Sequence, residues 1–309
     1  MIAAWCERIE RQVAQVIVGK AEVIRQALAA LLSGGHLLLE DVPGTGKTSL
    51  ARALARSLGL AYRRVQMTPD LLPSDLTGVY IYHNGEFRFR PGPIFTGVLL
   101  ADELNRATPK TQSALLEAMQ EGQVTLEGQT HLLPRPFWVI ATQNPIEQEG
   151  TYRLPEAQLD RFICRLSLRY PEPQAELEML RRLRDANPEE ALEPLTQAEE
   201  ILHLQREVRQ VHIEPDLEEY LMAIVHATRQ SPQVLLGASP RAALALQRFA
   251  QALAALAGRD FVLPDDLQSA VVPVLAHRLL LRYEARLEGV RAERILEEIL
   301  QSLPVPVEA

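Results

Sequence analysis

Cysteine is scarce in this 309-residue chain, which has only two, Cys6 and Cys164. No C-x-x-C pair and no metal-like spacing involves them. A disulfide scaffold is therefore not expected, and a reducing compartment is. The seven histidines form no H-E-x-x-H or similar pairing, so no transition metal held by protein ligands is expected. No apolar run approaches the ~18–20 residues needed to span a bilayer. The opening residues, MIAAWCERIERQV, carry charges where a signal peptide needs its apolar core. The expectation is a cytoplasmic protein without membrane insertion. Basic charge is also short: 32 Lys+Arg against 40 Asp+Glu leave a net charge of −8. That argues against nonspecific nucleic-acid binding, which wants a basic footprint, although local basic patches survive a negative total. Lysine in particular occurs only at positions 20, 47 and 110.

The residues present are ordinary in bulk and specific in detail. A hydrophobic content of 47% and a charged content of 23% suit a globular protein, and the length allows two domains. The stretch His36–Leu54, HLLLEDVPGTGKTSLARAL, reads as an apolar strand, a Gly/Pro turn and the opening of a helix. Backbone N–H groups of such a turn converge on one small space, and the helix N-terminus adds partial positive charge. That space fits a polyphosphate. The pattern G-x-x-x-x-G-K-[ST] is met except at its first position, where Asp41 stands for Gly. Pro43, Gly44, Thr45 and Gly46 form the turn. Lys47 can reach the outer phosphates, and the Thr48 hydroxyl can sit on Mg²⁺. Two of the chain's three lysines lie elsewhere, so a chain that otherwise uses Arg has kept Lys here.

Further elements lie along the chain on either side of this turn. Residues 1–32 read as two short helices around the turn Ile17–Lys20, and Tyr62–Gln66 as a second strand. In VYIYHNGEFRF, two alternating runs meet at Asn84-Gly85, a hairpin signal; a plain surface loop is the alternative. Gly97–Glu103, GVLLADE, is an apolar run ending in two acids, as in a strand buried in a parallel sheet. Acids at the carboxyl end of such a strand lie at the mouth of the sheet, beside the phosphate loop. Asp102 would hold Mg²⁺ through its water shell, and Glu103 would polarise an attacking water. Thr108-Pro109 opens a helix, with Thr as cap and Pro at the first position. Gln123–Leu133 is a second hairpin, turning at Glu127-Gly128. Phe137–Thr142 is another buried strand. Asn144 after it either positions the water or forms a turn before Pro145. Ile163–Leu168 is the last strand. The break at Tyr170–Pro173 marks a domain boundary, after which the sequence is almost wholly helical by period. There Ser239-Pro240 caps a helix that starts with Arg241.

Taken together, these residues resemble the AAA+ ATPases and, within them, the MoxR family. The resemblance covers essentially the whole chain. It rests on LLEDVPGTGKT, DLLPSDLTG, GPIFTGVLLADELNRATPKTQSALLEAM, ATQNP, LPEAQLDRF and GASPRAAL, in that order. It implies an α/β fold: a P-loop NTPase parallel sheet sandwiched by helices, the AAA+ core, in residues 1–171. Two β-hairpin inserts, at about 75–92 and 123–133, interrupt this core, the first lying within the second helix of the fold. A small all-α lid occupies residues 172–309. It implies ATP and Mg²⁺ as ligands, with Walker A residues through Lys47, Thr48 and Ser49 and Walker B residues Asp102 and Glu103. Asn144 matches the first sensor, and Arg161 of LDRF the arginine finger that acts on a neighbouring subunit's nucleotide. Arg241 matches the second sensor, and Val18-Gly19 lies where the fold contacts adenine. Arg153 is either a second interface arginine or a plain surface residue. The resemblance also implies a hexameric ring, a von Willebrand factor A-domain partner, and chaperone-like remodelling, maturation or cofactor loading of a client complex. A nucleic-acid motor and a magnesium-chelatase-like motor subunit share the motif order and stand as alternatives.

Overall fold

The computed structural model describes residues 1–145, 151–152, 154–185 and 188–306. Two helices, α1 (Ile2–Val13) and α2 (Ala21–Leu32), lead into β1 (His36–Glu40). After the Gly/Pro turn come α3 (Lys47–Ser57) and β2 (Tyr62–Gln66). A helical turn, α4 (Pro73–Thr77), opens onto the hairpin β3 (Gly78–His83) and β4 (Glu86–Pro91), and the chain returns as β5 (Val98–Asp102). Next are α5 (Pro109–Glu121) and the hairpin β6 (Gln123–Leu126) and β7 (Gln129–Leu132). Then come β8 (Trp138–Gln143), the short α6 (Glu156–Leu159) and β9 (Phe162–Leu166).

The apolar runs pair into one parallel sheet in the order β2-β5-β8-β1-β9. Strand alternation divides each run between two faces. Leu37 and Leu39 face α1, α2 and α3, whereas Leu38 faces α4 and α5. Burial on both sides is why the central strands read as continuous apolar runs rather than alternating ones. Every strand starts at one end of the sheet and finishes at the other, so the connections leaving β1, β5 and β8 converge on a single rim.

Both hairpins turn at the expected residues. Asn84-Gly85 (φ 52 and 88) and Glu127-Gly128 (φ 48 and 77) all take positive φ, as a two-residue turn between twisted strands requires. The two hairpins pack together: Phe89 stacks on His131 at 3.9 Å, and the Tyr80 hydroxyl donates to Gln129 Oε1 at 2.7 Å. The first hairpin follows directly on the helical turn α4, and among the described residues no helix intervenes between it and β5. Pro91 and Pro93 lack the N–H a helix needs. A side chain on Gly92 would lie 2.2 Å from the Leu76 carbonyl, so this backbone is wedged against α4 instead.

The remainder is mostly helical: α7 (Pro173–Asp185), α8 (Ala198–Val208), α9 (Pro215–Gln230), α10 (Pro240–Leu256) and α11 (Pro264–Leu275). The last two are α12 (Tyr283–Leu287) and α13 (Ala292–Ser302). A two-stranded ribbon, β10 (Val234–Leu236) with β11 (Leu280–Leu281), breaks the all-helical pattern; strands this short carry no readable alternation. The apolar faces of these helices do not form a separate core. Leu204, Phe249 and Leu275 belong to the same cluster as Trp5, Leu28 and Leu39. Among the described residues, no helix is long and apolar enough to cross a membrane.

His36, buried at the start of β1, shows how tightly this core is specified. Its Nδ1 accepts the Val139 N–H at 3.0 Å and its Nε2 lies 3.1 Å from the Met119 carbonyl, which fixes a neutral ring protonated on Nε2. Burial pushes its pKa down to about 4. A folded-state value below the unfolded one gives stability that is present at neutral pH and lost as pH falls from about 6.5 toward 4. Denaturation midpoints measured across that window should drop in the wild-type chain. His36→Asn, which keeps an acceptor but cannot titrate, should lose about one proton's worth of slope, ~1.4 kcal/mol per pH unit.

Candidate functional site

The turn after β1 owes its shape to two glycines. Gly44 (φ 83) and Gly46 (φ 92) take left-handed conformations, and Gly46 is the cap of α3. The amides of this turn and of the first turn of α3 thereby face one cleft. The cleft holds about 360 Å³ and is lined by Pro43, Gly44, Gly46, Lys47, Thr48 and Ser49, with Asp102, Glu103, Thr142, Gln143 and Asn144 opposite. Thr45 turns inward instead and donates through Oγ1 to the Val42 carbonyl at 3.2 Å. Lys47 Nζ donates to the carbonyls of Asp41 (2.9 Å) and Val42 (2.7 Å). Burial pulls its pKa below the usual lysine range, opposed by the charges of Asp41, Asp102 and Glu103.

The two acids are held by residues that sequence reading did not single out. Asp102 Oδ2 accepts from Arg64 Nη2 (2.6 Å) and Nε (3.0 Å), and its Oδ1 accepts from Thr142 Oγ1 at 2.5 Å. Glu103 takes φ 57, a left-handed conformation that a non-glycine residue keeps only where its surroundings fix it. Here its N–H donates to the same Thr142 hydroxyl at 2.8 Å. Its Oε2 accepts from Gln66 Nε2 (2.6 Å) and Arg106 Nη1 (3.0 Å). Thr142 thus sets both acids at once. Arg64 and Gln66, two apart on the edge strand β2, present side chains to the strand end that carries the acids. The available signal was a pair of polar residues at i and i+2 closing a strand. Asn144 is buried on the same rim and accepts through its carbonyl from Asn105 Nδ2 at 3.4 Å.

The Val18-Gly19 turn lies next to this cleft. Ile17 Cδ1 is 3.8 Å from where a Gly46 side chain would start, and Gly19 (φ 71) packs against Ala175 of α7. Arg161 and Arg241 are elsewhere. Arg161 precedes β9, whose first residue pairs with His36, the first of β1. The phosphate turn comes after the far end of β1, five residues and about 15 Å away. Arg161 and Arg241 line a second cleft, of about 290 Å³, with Asp160, Arg248 and Arg278. Arg278 is spent on structure: its side chain is 3% exposed, its Nε donates to Asp160 Oδ1 at 2.7 Å, and its other nitrogens meet carbonyls of Phe162, Ile163 and Val274. Arg241 is 52% exposed and only 4.0 Å from Asp160, and Arg161 has no ion pair among the described residues. The structure therefore gathers the loop, the acids and Asn144 at one end of the sheet, and the two arginines at the other. Arg153 lies outside the described residues.

Comparison with known proteins fits this geometry. The model of the ATPase family associated with various cellular activities matches residues 36–164, and an AAA lid domain model matches residues 226–299. Chaperone MoxR1 of Mycobacterium tuberculosis is 41% identical over 99% of this chain and 84% of its own. The chain belongs to the MoxR family of AAA+ ATPases. An uncharacterized Bacillus subtilis protein, YeaC, is 53% identical to this MoxR-family chain over 95% of its length and 92% of the relative's. A crystal structure from Cytophaga hutchinsonii, of a protein assigned as an ATPase, superposes with a TM-score of 0.92 at 41% identity. That superposition covers 99% of this MoxR-family chain and 96% of the other.

Proposed function

We propose that this chain hydrolyses ATP to ADP and phosphate in a ring of identical subunits, a hexamer by family likeness, and uses the cycle to remodel partner proteins. The observation that carries the reading is one rim on which a phosphate-shaped turn with Lys47 and Thr48 faces Asp102, Glu103 and Asn144 across one cleft. In this reading Val18-Gly19 borders the adenine, and Lys47 and the amides of residues 43–49 bind the phosphates. Glu103 orients the attacking water with Asn144 beside it. The Thr48 hydroxyl and the Asp102 carboxylate are hard oxygen donors on the same cleft, a set that fits Mg²⁺. Asp102, already paired with Arg64 and Thr142, would hold the ion through water. The bound ion would neutralise charge on the outer phosphates.

Arg161 and Arg241, about a strand's length from their own phosphate turn, support a site completed by the next subunit in a ring. The division into a core of residues 1–171 and a lid of 172–309 belongs to the same reading. So do a cytoplasmic location, a von Willebrand factor A-domain partner and a client complex; the name of the 41% identical relative, Chaperone MoxR1, favours the protein-remodelling role. Phosphate release from ATP by the purified chain tests the activity, and sedimentation tests the ring. Turnover should require Mg²⁺, vanish in Lys47→Ala and be unchanged by DNA. Absence of turnover in the assembled protein would overturn the reading, and DNA-stimulated turnover at physiological salt would redirect it to a nucleic-acid motor.

A further inference from the structure

The one irregular position of the phosphate turn has a structural reason. A carboxylate at position 41 is electrostatically adverse to a neighbouring polyphosphate. The Asp41 side chain, however, is buried and lines a different cleft, with Ser167 and Arg169. Its Oδ1 accepts the Val42 N–H at 2.9 Å. Its Oδ2 accepts Ser167 Oγ at 3.0 Å and the Arg169 N–H at 2.5 Å. Ser167 and Arg169 open the segment between β9 and α7, and Arg169 is held at φ 52, a conformation a non-glycine residue keeps only under constraint. Farther along, the Tyr170 carbonyl accepts from Lys20 Nζ at 3.0 Å, and Ala175 Cβ lies 3.1 Å from where a Gly19 side chain would begin. Between residues 167 and 175 this segment thus touches the phosphate turn and then the Val18-Gly19 turn. Beyond it, Arg182 of α7 donates to the Ala14 and Gln15 carbonyls, gripping the α1–α2 connection.

We propose that Asp41 is a positioning residue that couples the phosphate turn to residues 167–175 and, through them, to α7. The proposal rests on nucleotide binding at this turn. Lys47 Nζ is bonded to the carbonyls of Asp41 and Val42, so phosphates that draw the ammonium toward themselves release those carbonyls. The resulting shift at residues 41–42 travels through the Asp41 carboxylate to the Arg169 amide. Glycine at position 41 would serve the turn equally well but has no side chain to carry that link.

Amide hydrogen exchange of the full chain, with and without ADP and Mg²⁺, reads the coupling. In the wild type, ADP should change exchange at residues 167–175 as well as at the phosphate turn. Asp41→Gly, which restores the usual motif residue, and Asp41→Asn should bind ADP within about tenfold of wild type. Exchange at 167–170 should rise about tenfold without nucleotide, as a charge-assisted bond is lost, and the ADP response there should disappear. The kcat for ATP should fall with KM nearly unchanged. Ser167→Ala removes one of the two links without touching the turn and should give part of the exchange change. An ADP response at 167–175 that survives intact in both Asp41→Gly and Ser167→Ala overturns the coupling while leaving the nucleotide site standing. A wild type that binds no ADP overturns the site itself and the coupling with it.

Discussion

Glu103→Gln should bind ATP about as well as the wild type and hydrolyse it at least ~100-fold more slowly, since a positioned general base supplies ~10²–10⁴ in rate. The substitution keeps size and removes only the basicity of the carboxylate. Glutamine can still meet Gln66 and Arg106, and the bond to the Thr142 hydroxyl comes from the backbone N–H of residue 103, which the substitution leaves in place. Binding and turnover should therefore separate cleanly. Filter-bound or fluorescent ATP gives the first quantity, and single-turnover phosphate release the second. Turnover near the wild-type rate would remove Glu103 from the water-orienting role, and loss of binding would place it in ground-state recognition.

A larger effect is expected from the arginines. Arg161→Ala alone should lower turnover by ~10³–10⁵, the range for an arginine finger, and Lys47→Ala alone should abolish it. Mixed in equal amounts and allowed to exchange subunits, the two inactive proteins should regain activity at about a quarter of their sites, those pairing an intact turn with an intact finger. Because Arg241 shares its cleft with Arg161, Arg241→Ala should complement Lys47→Ala in the same way. If Arg241 served its own subunit's nucleotide, that second mixture would stay inactive. Failure of both mixtures despite demonstrated co-assembly would exclude an intersubunit site.

How legible these parts were in the sequence depends on how far apart the chain keeps them. The turn from Asp41 to Ser49 is contiguous, and glycine, proline and lysine each have one evident use there. The sheet was readable for a similar reason, because strands buried on both faces leave apolar runs bounded by turn residues. The acids' supports were hidden. Arg64, Gln66 and Thr142 meet Asp102 and Glu103 only because β2 and β8 flank β5, an adjacency that sequence order does not state. The meeting of Arg161 with Arg241 was hidden likewise; it depends on Asp160 receiving Arg278 and lying close to the start of α10. The β10–β11 ribbon was lost because two or three residues cannot display a period.

The apolar cluster that runs without interruption from Trp5 and Leu39 to Phe249 and Leu275 limits how a subunit can move. A flap swinging on a flexible joint would have to open that cluster to water, at roughly 25 cal/mol for each Å² uncovered. Small sliding of packed helices leaves that cluster closed and is the less costly motion. A tug on Arg241 from one side of a subunit would then reach the α1–α2 turn beside the phosphate cleft as the displacement of one stiff lever.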